Sequence, residues 1–147
     1  MTITFKLKGV GNLSKKLEKY TKLASEETKR TLFMEAEGIM AESKEKFVPV
    51  MTGALRGSGF VEPPKVQGGN MSVTLGYGGP AAPYAVVVHE NPRAGKTGGR
   101  SPGGVVYKNF SRVGQWKYLE IPFKKHAKKV GPKIAANIKN ATRGLKR

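Results

Sequence analysis

The chain begins with strict alternation of apolar and polar positions. Ile3, Phe5 and Leu7 fall on one side and Thr4, Lys6 and Lys8 on the other, the period-2 signature of a half-buried strand. Gly9, Gly11 and Asn12 break the pattern. From about Ser14 to Phe47 the period becomes helical. Leu13, Leu17, Tyr20 and Ala24 step by four, three and four, and Leu32, Ala36, Ile39 and Phe47 continue the stripe beyond a polar stretch around Thr28. Glu18 with Lys22, Glu26 with Arg30, and Glu42 with Lys46 stand four apart in the favourable order. Pro49 ends the helix, because the residue before a proline is driven out of the α region. A helix of that extent is about 50 Å long, whereas a compact domain of this size is about 38 Å across. Either it bends at Gly38 or it reaches past its own domain towards a neighbouring subunit. We read the second.

The middle of the chain is patterned for strands. Ser58–Val61 and Ser72–Tyr77 are the candidates, with Val73, Leu75 and Tyr77 alternating against Ser72, Thr74 and Gly76. Pro63, Pro64, Gly68, Gly69 and Asn70 supply turn chemistry between them. Tyr84–His89 is apolar and β-branched and reads as a further strand, with one helical turn as the alternative. Asn91–Gly114 holds six glycines and five basic residues, and a long glycine-rich loop inside a small domain is usually functional or disordered. We expect its first half to be mobile in an isolated subunit and to order against a neighbour. Leu119, Phe123, Ala127, Val130, Ile134, Ile138, Ala141 and Leu145 then form a second amphipathic stripe. Gly131-Pro132 is expected to divide it into two helical pieces. The pattern predicts one α+β domain spanning 1–147: a small, mostly antiparallel sheet, a long amphipathic helix after the first strand, and a helical C-terminus.

Composition sharpens this in one respect, charge. The net charge is +17, from 27 Lys and Arg against 10 acids, and every acid is Glu. Seven of the acids share the long helix with eight basic residues, whereas residues 121–147 carry nine Lys or Arg and no acid. A basic tail of this kind suits a nucleic acid or an acidic protein surface. Lys124, Lys125, Lys128, Lys129 and Lys133 are the candidate contacts. The chain has no Cys, which excludes disulfides and thiolate metal sites. The alternating start has no signal-peptide core, and no apolar run approaches membrane-spanning length. A chain made and kept in the cytoplasm before assembly, without a membrane, is the expectation.

Chemistry that needs a proton carrier finds little here. The two histidines, His89 and His126, belong to different elements, and after Glu62 the acids are Glu90 and Glu120. On a strand His89 and Glu90 would point to opposite faces, and no three or four ligands converge on a metal. Gly95-Lys96-Thr97 imitates the end of a phosphate-binding loop, but Glu90 stands where that motif requires glycine, and Gly98-Gly99-Arg100-Ser101-Pro102 follows in place of a helix. Neither a catalytic site nor a cofactor is expected. Nothing matches a zinc finger or an RNA-recognition motif, so any nucleic-acid contact would be directed at phosphates and sensitive to salt.

The segment Pro49-Val50-Met51-Thr52-Gly53-Ala54-Leu55-Arg56-Gly57-Ser58 follows the long helix directly. With Tyr84-Ala85 leading to His89-Glu90, a glycine-rich loop, and Tyr118-Leu119-Glu120-Ile121-Pro122 before the last helix, it resembles the neck and tail-completion proteins at the head–tail junction of tailed bacteriophages. The resemblance runs in order across residues 13–135; Met51 stands where those proteins commonly have Asp. It implies a homo-oligomeric ring in the virion, most simply a hexamer, alternatively a dodecamer. The ring would be stacked between connector or head-closure proteins and the tail tube, giving packaged DNA a continuous path. Arg56, beside the turn after Pro49, and Arg93, Lys96 and Arg100 of the glycine-rich loop are the candidate interface residues. A basic, sequence-blind nucleic-acid-binding protein is the alternative, and a capsid-decorating or tape-associated protein a third.

Overall fold

A computed structural model describes residues 10–95 and 114–146. The strand-patterned segment Thr2–Lys8 and most of the glycine-rich loop, with Lys96 and Arg100, lie outside the described residues. The fold is α+β, as the pattern predicts. Helix α1 (Val10–Glu42) runs without a break and closes in a π-helical turn (Ser43–Phe47). It takes in Gly11 and Asn12, four residues earlier than the stripe suggests. Gly38 does not interrupt it; a Cβ there would sit 3.8 Å from the His126 ring, so Gly38 marks the approach of the last helix. Val48, extended at ψ 125°, ends the helix ahead of Pro49.

Gly53 adopts φ 87°, a left-handed conformation suited to glycine. The Thr52 hydroxyl accepts the Ala54 N–H at 3.3 Å, and Leu55 of the short α2 (Ala54–Gly57) folds back into the core. Strands β1 (Phe60–Val61), β2 (Lys65–Gln67), β3 (Asn70–Ser72) and β4 (Leu75–Gly76) follow. β1 pairs with β4 and β2 with β3, both antiparallel. The predicted strand Ser72–Tyr77 is thus divided between two ladders. The cause lies opposite it: Pro63 and Pro64 have no N–H to donate. Phe60 faces Gly76 but Lys65 faces Ser72, so the first arm holds one residue more than the second. The two ladders form one long hairpin interrupted by a bulge. Gly68 and Gly69, both at positive φ, make its tip.

Two expectations are corrected. Tyr84–His89 is not a strand; Ala85–Glu90 forms helix α3. Ala82 and Ala85 are small enough to bury against Tyr118, whose hydroxyl donates to the Ala85 carbonyl at 2.8 Å, while Val86 and Val87 stay exposed. Packing at the alanines overrides the β preference of the valines. Gly131-Pro132 does not divide the last helix either, because α4 (Glu120–Ala141) continues through it. A proline clashes with the Cβ of the residue before it, and Gly131 has none. The Lys128 carbonyl that loses its helical partner lies on an exposed turn, where water can take the bond.

The core gathers Val48, Leu55, Ala82, Ala85 and Tyr118, with Phe47, Tyr77, Val88 and Leu119 around them. Tyr118 is its hub. Both Tyr77 and His89 meet its ring edge-to-face, at 5.1 and 4.9 Å. Ser43, fully buried in the π-turn, donates to the Tyr118 carbonyl at 2.7 Å and accepts from the Tyr77 hydroxyl at 2.9 Å. Replacing Ser43 by Ala leaves the carbonyl and the phenol without this partner inside the core. The expected cost is about 1–3 kcal/mol of folding stability, measurable by chemical denaturation.

Candidate assembly surfaces

Helix α4 returns antiparallel along α1, and a set of charges sets the alignment. Lys125 binds Glu42 at 2.5 Å, Lys133 binds Glu35, and Asn137 donates to the Thr31 hydroxyl at 2.9 Å. His126 stands between the two carboxylates, 3.3 Å from Glu35 through Nδ1 and 3.0 Å from Glu42 through Nε2. Lys125 first, and then His126, hold the Glu42 carboxyl down at about 2. The Lys133 ammonium likewise lowers Glu35. The sequence placed His126 only in a different element from His89. A signal was present: Glu35 and Glu42 are seven apart, as are His126 and Lys133, so each pair lies on one helix face.

This cluster changes the meaning of the basic tail. Of the five candidate contacts, Lys125 and Lys133 are engaged with α1 and Lys124 with Glu120. Lys128 and Lys129 are exposed and form no ion pair among the described residues. Arg56 is exposed on α2, and Arg93 is exposed in a turn where the Asn91 side chain accepts its backbone N–H at 3.0 Å. Neither forms an ion pair among the described residues. Gly95 and Gly114 abut at the base of the glycine-rich loop, where a Cβ on Gly95 would collide with the Gly114 backbone. Both have positive φ, so the loop leaves and rejoins the body at one place.

Among the described residues, three surfaces stand out as uncovered. The first is the start of α1, where every residue from Gly11 to Lys22 is exposed. Leu13, Leu17 and Tyr20, at 58%, 57% and 44% exposure, form an apolar stripe there. The second is α3, with Val86 and Val87 outward. The third is an open groove of about 500 Å³ between the hairpin and the start of α4, lined by Val73, Thr74, Leu75, His89, Leu119, Glu120 and Phe123. No known protein family, curated protein or solved structure matches the chain. Among the described residues no helix is long and apolar enough to cross a membrane.

Polar groups fix the rim of the groove. Lys117 holds a left-handed φ of 56°, unusual for a residue with a side chain. Its N–H donates to the His89 carbonyl at 2.8 Å, and its ammonium binds Glu90 at 2.6 Å and Glu120 at 3.0 Å. Glu90, then Glu120, raise the Lys117 pKa. Lys124 first and Lys117 second hold Glu120 at about 2. His89 and Glu90, expected on opposite faces of a strand, instead meet at 2.7 Å on α3.

These depressed carboxylates give a testable acid dependence. A folded-state pKa below the unfolded value near 4.3 means that stability is fully present above that value and is lost as pH falls towards the folded one. The melting temperature should therefore decline as pH falls from about 4.5 to 2. A Glu35→Gln, Glu42→Gln chain, followed by circular dichroism, should show a lower melting temperature at neutral pH and a shallower acid decline.

Proposed function

We propose that this chain is a structural assembly subunit of the head–tail junction of a tailed bacteriophage: a neck, tail-completion or tail-terminator ring component. It works by binding rather than by catalysis. The observation that carries this reading is the uncovered apolar stripe of Leu13, Leu17 and Tyr20, on a helix that outruns its own subunit. Support also comes from the ordered motifs. The Pro49–Ser58 segment makes a rigid corner between the long helix and a strand, and Tyr118, just before α4, is the core hub.

The uncovered surfaces are unlike one another and lie apart: the α1 stripe at one end, and the groove beside α4's start near the other. An interface that joins unlike patches head to tail closes into a ring when the rotation permits. Magnitudes argue that more than one surface takes part. Covering a large apolar side chain completely is worth roughly 1.5–3 kcal/mol, and the stripe residues are already about half covered. The stripe then offers roughly 2–4 kcal/mol in all, against roughly 4–15 kcal/mol of lost freedom on association. A neighbour held by the stripe alone would fall away.

A sequence-blind nucleic-acid binder would gather its lysines into one free patch, whereas Lys124, Lys125 and Lys133 are engaged within the chain. Lys128 and Lys129 remain available for a weak contact with packaged DNA. The direct test is genetic. Disrupting this gene in its phage should leave filled heads and tails unjoined in electron micrographs. A Leu13→Ser, Leu17→Ser, Tyr20→Ser chain should fold with unchanged helicity and fail to restore joining. Joined, infectious particles made without the protein would overturn the reading.

A further inference from the structure

The groove beside the hairpin has a backbone edge as well as apolar walls. On its β1 side, Thr74 accepts the Glu62 N–H at 2.7 Å, and Leu75 pairs with Val61. The opposite edge of Val73–Leu75 bonds to no other element among the described residues. An open sheet edge beside an apolar groove is what an added strand requires: backbone bonds along the edge and pockets for alternate side chains.

The chain carries a segment of matching pattern in Thr2–Lys8, with Ile3, Phe5 and Leu7 on one side. Its own groove is out of its reach. Phe123 lines the groove, and two residues on, Lys125 binds Glu42 at the C-terminal end of α1. On the hairpin side, Lys44 binds the Gly59 carbonyl at 2.7 Å. Val10, where α1 starts, is therefore about 45–50 Å along the helix axis from the groove. Phe5 precedes Val10 by five residues, which span at most about 17 Å fully extended. Because α1 is unbroken, a groove within reach of the segment can only be another copy's.

We propose that Thr2–Lys8 of one subunit adds as a strand to the open edge of Val73–Leu75 in a second copy of the chain, with Ile3, Phe5 and Leu7 seated in that copy's groove. This rests on the reading that copies of the chain assemble with one another, and the test separates the two. The chain has no cysteine, so any disulfide reports the introduced pair. Chains carrying Phe5→Cys are mixed with chains carrying Val73→Cys, Thr74→Cys or Leu75→Cys and mildly oxidised, with light scattering on the same samples. The three positions cover both faces of the edge, since a one-residue slip reverses every side chain. At least one mixture should give a covalent pair on a denaturing gel, at least ten-fold more than either chain alone. Deleting residues 2–8 should keep the helicity and weaken self-association at least ten-fold. Oligomers without a cross-link at any of the three positions would overturn the strand exchange and leave assembly standing. A chain that stays monomeric at its highest soluble concentration would remove both. A Phe5→Cys, Thr74→Cys chain that closes a bond within itself would overturn the reach argument, and the proposal with it.

Discussion

Ser43 and Tyr118 tie the end of the long helix to the start of the last one. Both are buried, and the Ser43 hydroxyl donates to the Tyr118 carbonyl across 75 residues of chain. The π-turn turns Ser43 inward, and the tyrosine hydroxyl reaches on to the Ala85 carbonyl. With that joint fixed, α4 can only run back along α1. It has 22 residues against 33 and begins beyond the end of α1, with Lys125 opposite Glu42 and Asn137 opposite Thr31, so α1 outlasts it by about 25 Å. The overhang and its uncovered stripe both follow from this mismatch in length.

The charges between the two helices have a related consequence. Glu35 and Glu42 are rare acids in a chain of net charge +17, and both sit where α4 brings Lys125, His126 and Lys133 to them. They fix the register of the helix pair and draw two lysines out of the basic tail. The long range of a basic surface is screened within about 8 Å at physiological ionic strength. What remains on α4 suits a local contact with DNA or an acidic neighbour better than a broad nucleic-acid platform.

The sequence made the two long helices legible, because each is written in local terms: a stripe at helical spacing and, for the first, a proline stop. It could not show features set by distant partners. The valines of α3 read as a strand until Tyr118 and the buried alanines are in place. The interruption of Ser72–Tyr77 depends on prolines in the facing arm. Gly131-Pro132 looked like a break, and the missing Cβ of Gly131 allows the helix to continue. Of the interface residues read from the sequence, Arg56 and Arg93 are exposed. Lys96 and Arg100 lie outside the described residues. His126 became visible as a bridge only with both helices present, although the matched spacing of seven was already in the chain.

The central claim is that the first turns of α1 belong to an interface between copies of this chain, and hydrogen exchange on free and assembled protein tests it most directly. Amides in 11–22 should exchange quickly in the dilute subunit, where no described residue covers this part of α1, and at least ten-fold more slowly in the assembled particle. Those in 31–43, already packed against α4 and the hairpin, should change little. Equal exchange of 11–22 in both states would contradict the account.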